Sequence, residues 1–152
     1  MWTVRAEPVD GPESVALLRN YFAELTVRYF RRETSEQEID QTLVEFPSAG
    51  LARFLVLRTD GAAVGCLGAH ATGELTRMYV APQFRRAGGA RALLAAVDSW
   101  GRSQGLTRLF LDTRTDLVEA RGFYASCGFV EVPAPARTRG PFQDHWFEKA
   151  LT

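Results

Sequence analysis

Several things are scarce in this 152-residue chain. It has two cysteines, Cys66 and Cys127, too few and too far apart to read as a disulfide framework or a metal knuckle. Cys66 falls in an apolar stretch and reads as a small core residue. Its two histidines, His70 and His145, have no partner at metal-ligand spacing, which argues against zinc and leaves no metal site to expect. Net charge is absent, since 18 Lys and Arg balance 18 Asp and Glu, and this argues against a dedicated nucleic-acid binder. No apolar run approaches the roughly 20 residues of a membrane span. The start, Met-Trp-Thr-Val-Arg-Ala-Glu-Pro, carries no apolar signal region, so a cytoplasmic protein with no membrane partner is the expectation. Neither Gly-x-Gly-x-x-Gly nor Gly-x-x-x-x-Gly-Lys-Ser/Thr occurs, which removes the two common nucleotide fingerprints. No Cys/His or Ser/His/Asp arrangement suggests a covalent enzyme intermediate.

What is present suits one domain over residues 1–152, with 46% hydrophobic residues to build its core. Trp2 and Val4 alternate with polar residues in a first strand. Ser14 to about Phe30 has helical periodicity, and Arg28, Arg31 and Arg32 gather where cations complement the end of a helix dipole. A contact for an acidic substrate or for cofactor phosphate is the other use of that cluster. Thr34 or Ser35 caps a second helix to about Phe46. Two apolar runs, Leu51–Arg58 and Ala62–His70, flank Asp60-Gly61, a hairpin signal. Later come a strand over Arg108–Thr113, a helix over Leu117–Ser126, a strand over Gly128–Val132, a proline-rich loop to Pro141, and a last strand over Asp144–Leu151.

The organising segment is Gly73 to Leu94. Strand alternation puts Leu75, Arg77 and Tyr79 on one face and Glu74, Thr76, Met78 and Val80 on the other. Pro82 ends the strand, and Gly88-Gly89 opens an alanine-rich helix. A helix start with free N–H groups, two glycines, and Arg85 and Arg86 beside them suits a phosphate. An ordinary basic loop between strand and helix is the alternative.

Arg85-Arg-Ala-Gly88-Gly-Ala90 resembles the acetyl-CoA pyrophosphate loop, Arg/Gln-x-x-Gly-x-Gly/Ala, of the GNAT superfamily of N-acetyltransferases. Downstream, Ala120-Arg-Gly-Phe123-Tyr124-Ala-Ser-Cys-Gly128-Phe129 resembles that family's Ala-x-x-x-Tyr-x-x-x-Gly-Phe segment. The resemblance covers about residues 50 to 132. It departs from the family pattern at Arg86, which replaces a usual glycine, at Gly89, where a branched aliphatic residue is usual and a looser helix start follows, and at Leu117, where an asparagine is frequent.

The resemblance implies an α+β fold: a central, mostly antiparallel twisted sheet of about six to seven strands with helices on both faces, in the order β-α-α-β-β-β-α-β-α-β-β. It implies direct transfer of an acetyl group from acetyl-CoA to a primary amine on a small-molecule or peptide acceptor, by a monomer or homodimer. A catalytically silent CoA-binding sensor of the same fold is the alternative. Cofactor contacts fall to Met78, Tyr79, Val80, Arg85, Arg86, Ala87, Gly88, Gly89, Ala90 and Tyr124. Tyr124 matches the general acid for the departing thiolate, or a group that holds the sulfur by a hydrogen bond. Glu74 matches the general base of histone-acetylating relatives, which would share a strand face with Met78 if no bulge intervenes; a water chain is the other route. Residues 20 to 50 and the loop 133 to 143 would wall the acceptor site, and Glu74 or Asp144 could pair with an ammonium.

Overall fold

The computed structural model describes residues 1–113, 118–133 and 145–151. Asp60 and Gly61, with φ of 49° and 79°, form the tight turn that their sequence announces. They join β2 (Arg53–Thr59) antiparallel to β3 (Ala62–Ala69). β1 (Trp2–Ala6) and β4 (Leu75–Val80) complete a four-stranded sheet ordered β1-β2-β3-β4. β5 (Arg108–Thr113), β6 (Val130–Val132) and β7 (His145–Ala150) form a second, antiparallel sheet ordered β5-β7-β6.

The expected central sheet is therefore parted. β4 and β5 meet at one parallel bridge, Glu74 with Phe110, where the Phe110 N–H donates to the Gly73 carbonyl at 3.1 Å. Beyond that point no ladder joins them among the described residues. Two strands that diverge leave main-chain groups and a wedge of space between them, which is the feature that makes a site here.

Helices cover both faces. α1 (Pro12–Phe30) and α2 (Glu36–Glu45) lie on one side. Ser35 starts α2 with a complete capping box: its hydroxyl accepts from the Glu38 N–H at 3.1 Å, and the Glu38 carboxylate accepts from the Ser35 N–H at 3.0 Å. Arg19 ties α1 to α2 through Glu36 and Asp40. Arg32, at the end of α1, pairs with Glu38 at 2.8 Å. α3 (Gly89–Ser103) and α4 (Val118–Ser126) lie on the other side. Alternation along β2 serves both layers. Leu55 and Leu57 face the larger core with Leu93, Val97, Leu109 and Phe147, whereas Phe54 and Val56 face a smaller core under Leu17 and Leu18.

β4 does not keep its expected alternation. Against β3, Cys66 pairs with Tyr79 and Gly68 with Thr76, so Arg77 and Met78 together oppose Leu67. This is a β-bulge, and Arg77 sits in it with φ of 58°. Leu75 now joins Met78 and Val80 on the α3 side, while Arg77 and Tyr79 stay on the α1 side. The grouping of Leu75 with Arg77 and Tyr79 is thus corrected. So is the shared face of Glu74 and Met78, because alternation from Leu75 sets Glu74 toward α1.

Candidate active site

The start of α3 is a backbone site. Gly88 is its N-cap with φ of 92°, a conformation that suits glycine, and no side chain caps the helix. Hydrogen bonding resumes with the Ala92 N–H, which donates to the Gly88 carbonyl at 3.1 Å. The amides from Arg86 to Arg91 have no acceptor among the described residues. They stand at the positive end of the helix dipole, an arrangement that binds phosphate. Gly89 is buried, and a Cβ there would meet Leu57 at 2.7 Å. The expectation of a looser helix start is overturned: lacking a side chain, α3 begins tight against β1 and β2. Trp2 fixes the loop further by donating its indole N–H to the Ala87 carbonyl at 3.0 Å.

The two loop arginines differ. Arg85 is engaged within the fold: Nε donates to the Val80 carbonyl at 2.7 Å, and the guanidinium pairs with Glu24 at 2.6 Å. It also lies over the Tyr79 ring at 5.8 Å. Arg86 is exposed with φ of 62° and has no ion pair among the described residues. Arg85 thus anchors the loop to α1, and Arg86 is the cation free to meet a ligand.

From this helix start a cleft of about 1290 Å³ runs through the gap between β4 and β5 to the far side of the sheet. Met78, Tyr79, Val80, Arg85 and Arg86 line it, as do Gly88, Gly89 and Ala90. Glu74 and Tyr124 line it too; of the expected site residues only Ala87 lies off its wall. Asp144 and Leu117, and the loop from residue 134 to 143, lie outside the described residues. Residues of α1 and α2, among them Tyr21, Phe22 and Phe46, form the opposite wall.

Tyr124 enters from α4. Its ring packs on Phe129 (5.7 Å) and Phe147 (6.2 Å), and the residue is 9% exposed. The residue is part of the cleft wall. Burial pushes its pKa well above the ordinary phenol value.

Asp112, which carries no motif, is the residue sequence reasoning missed. On β5, Leu109 and Leu111 enter the core and Asp112 alternates with them, on the side of Glu74. Desolvation first, and the Glu74 carboxylate second, push its pKa up to about 6. An α1 residue, Tyr21, also reaches this region: burial raises its pKa, and it feels the charges of both Arg77 and Asp112. The Glu74–Phe110 bridge and the packing of α1 over β4 bring these groups together, so no local sequence signal could reveal the set.

The cleft therefore has two chemically different halves. Free amides and Tyr124 lie toward α3 and α4; Glu74, Asp112, Tyr21 and Arg77 lie toward α1 and α2. Two substrates could meet where the strands part.

Comparison with known proteins agrees with this geometry. Over 71 residues the chain is 39% identical to an aminoglycoside N(6')-acetyltransferase type 1 of Stenotrophomonas maltophilia, covering 47% of this chain and 46% of that protein. Over 96 residues it is 36% identical to an IAA acetyltransferase of Azospirillum brasilense, covering 59% and 58%. The aligned part thus spans about half the length of these curated relatives. Among solved structures, PaiA N-acetyltransferase from Thermoplasma acidophilum in complex with coenzyme A shares the fold, with a TM-score of 0.73 at 17% identity over 99% of both chains. The model of the acetyltransferase (GNAT) family matches residues 17–129, from α1 through the α3 start to the glycine-phenylalanine pair after α4, and the chain belongs to that family.

Proposed function

We propose that the chain transfers the acetyl group of acetyl-CoA directly to a primary amine. One observation carries this reading: a single cleft joins unpaired helix-start amides to a phenol and a carboxylate pair at the point where two strands separate. The amides from Arg86 to Arg91, with Arg86 beside them, would hold the diphosphate, and the margin of β4 that faces the gap, at Met78 and Val80, would receive the pantetheine arm. Acetyl-CoA supplies an activated acyl group as a thioester.

The protein then has two protons to manage. After the C–N bond forms and the C–S bond breaks, nitrogen sheds a proton to solvent; before that, an ammonium must lose one to become a nucleophile. Asp112, with a pKa of about 6, is ionised at pH 7 and can accept that proton, with Glu74 beside it as the second acceptor. At the other end, Tyr124 would stand by the sulfur. A thiol has a pKa of about 8.5, and a buried phenol is a much weaker acid, so full transfer would leave a phenolate out of water. Donation of a hydrogen bond to the departing thiolate is the role that burial favours, with the final proton coming from solvent.

Release of free thiol from acetyl-CoA in the presence of a panel of amines tests this reading. Amine-dependent release with a matching N-acetylated product is expected. Saturable CoA binding without turnover of any amine would contradict catalysis and favour the sensor alternative.

A further inference from the structure

Arg77 stands apart from the other arginines of the cleft wall. It is 8% exposed, yet no carboxylate pairs with it among the described residues. One terminal nitrogen donates to the Phe46 carbonyl at 3.1 Å, the other to the Thr76 hydroxyl at 3.2 Å, and the guanidinium lies over the Phe22 ring at 5.4 Å. Its Nε is sealed from water with no acceptor at all. Burying a charge without a counter-charge costs several kcal/mol, and proteins rarely tolerate it without a use. The backbone at Arg77 is also in the left-handed region, so the bulge holds this side chain in place against an ordinary steric preference.

We propose that the amine acceptor carries a carboxylate and that Arg77 receives it. This rests on the transferase reading above. Arg77 lines the acceptor half of the cleft, on the α1 side of the sheet, away from the helix-start amides. Glu74 and Asp112 lie on the same side, and Tyr21 senses the charges of Arg77 and Asp112 together. Within this chamber, Arg77 and the Asp112–Glu74 carboxylates complement an amino acid: ammonium toward Asp112 and Glu74, carboxylate toward Arg77. A planar guanidinium suits a carboxylate better than it suits the neutral groups it now touches.

The test compares free amino acids with their primary amides and with the corresponding amines that lack the carboxyl group, using thiol release from acetyl-CoA. The wild type should favour the acids in kcat/KM by about 100-fold or more. In Arg77→Gln that preference should collapse to a few-fold, mainly through KM for the acid, with KM for acetyl-CoA little changed. Arg77→Lys, which keeps the charge and loses the fork, should fall between; it serves in place of Arg77→Gln if circular dichroism shows that variant unfolded. Amides acetylated as well as acids, or a preference that survives at Arg77 and vanishes in Arg28→Ala at the half-exposed cleft wall, would overturn the assignment and leave the transferase standing. No turnover of any amine would overturn both.

Discussion

The two halves of the cleft are built by different means. Toward α3 the contacts are main-chain amides, held open by Gly88 and set against the sheet by Gly89, with Arg86 exposed beside them and without an ion pair among the described residues. Toward α1 and α2 the contacts are side chains, namely Arg77, Asp112, Glu74 and Tyr21, drawn from three elements. A backbone site is fixed by conformation, so it constrains the residues that permit the conformation and little else. A side-chain site is fixed by identity at scattered positions. On the proposed reading the first half would hold the cofactor and the second the acceptor.

Substitutions can break this contrast, beginning with the largest effect. Gly88→Val puts a branched side chain at φ of 92°, where its Cβ would lie 3.6 Å from Trp2 Nε1, at the start of the run of free amides. Loss of CoA affinity by about 100-fold or more is expected in a calorimetric titration, together with a stability cost of about 1–2 kcal/mol. Affinity unchanged in a folded variant would show that the amides are not the phosphate site. Next, Tyr124→Phe should lower kcat by about 10–100-fold with CoA affinity nearly intact, because the lost hydrogen bond matters only as charge builds on sulfur. Equal kcat in the two proteins would remove the hydroxyl from the chemistry.

Asp112 gives a prediction in pH. Its pKa in the folded state is raised from 3.8 to about 6, so the folded chain binds this proton more tightly than the unfolded chain. The charged carboxylate therefore destabilises the fold progressively as pH rises from about 4 to 6, and Asp112→Asn relieves the cost above that range. The variant should be more stable at pH 8 by about 1 kcal/mol after allowance for solvent screening, and no more stable at pH 3.5. Its kcat/KM should fall and lose the acid limb near pH 6 that the wild type shows. An unaltered limb would assign proton acceptance to Glu74 or to water. The smallest effect separates the loop arginines. Arg86→Ala should weaken CoA by a few-fold, about 0.3–1 kcal/mol for one exposed charge at a helix start. Arg85→Ala should act on stability through the lost Val80 and Glu24 contacts.

The same contrast explains what the sequence could show. The Asp60-Gly61 turn, the Ser35 cap and the β5 strand are local, set by a few neighbouring residues, and each is found where its pattern places it. The α3 loop was legible for the same reason. The bulge was not, since an arginine at positive φ breaks the alternation that strand reading assumes. Asp112 and Arg77 were invisible as site residues because their environments arise only when the two sheets part and α1 closes over them. Glu74 was an expectation of the family resemblance, and its side of the sheet depended on that bulge.

The claim on which the rest depends is that the free amides from Arg86 to Arg91 grip the diphosphate of coenzyme A. Backbone amide resonances measured during a titration with CoA address it directly. The account predicts that the largest shift changes, and slowed hydrogen exchange, fall on those amides. Saturable binding that leaves them unmoved while other regions respond would contradict it.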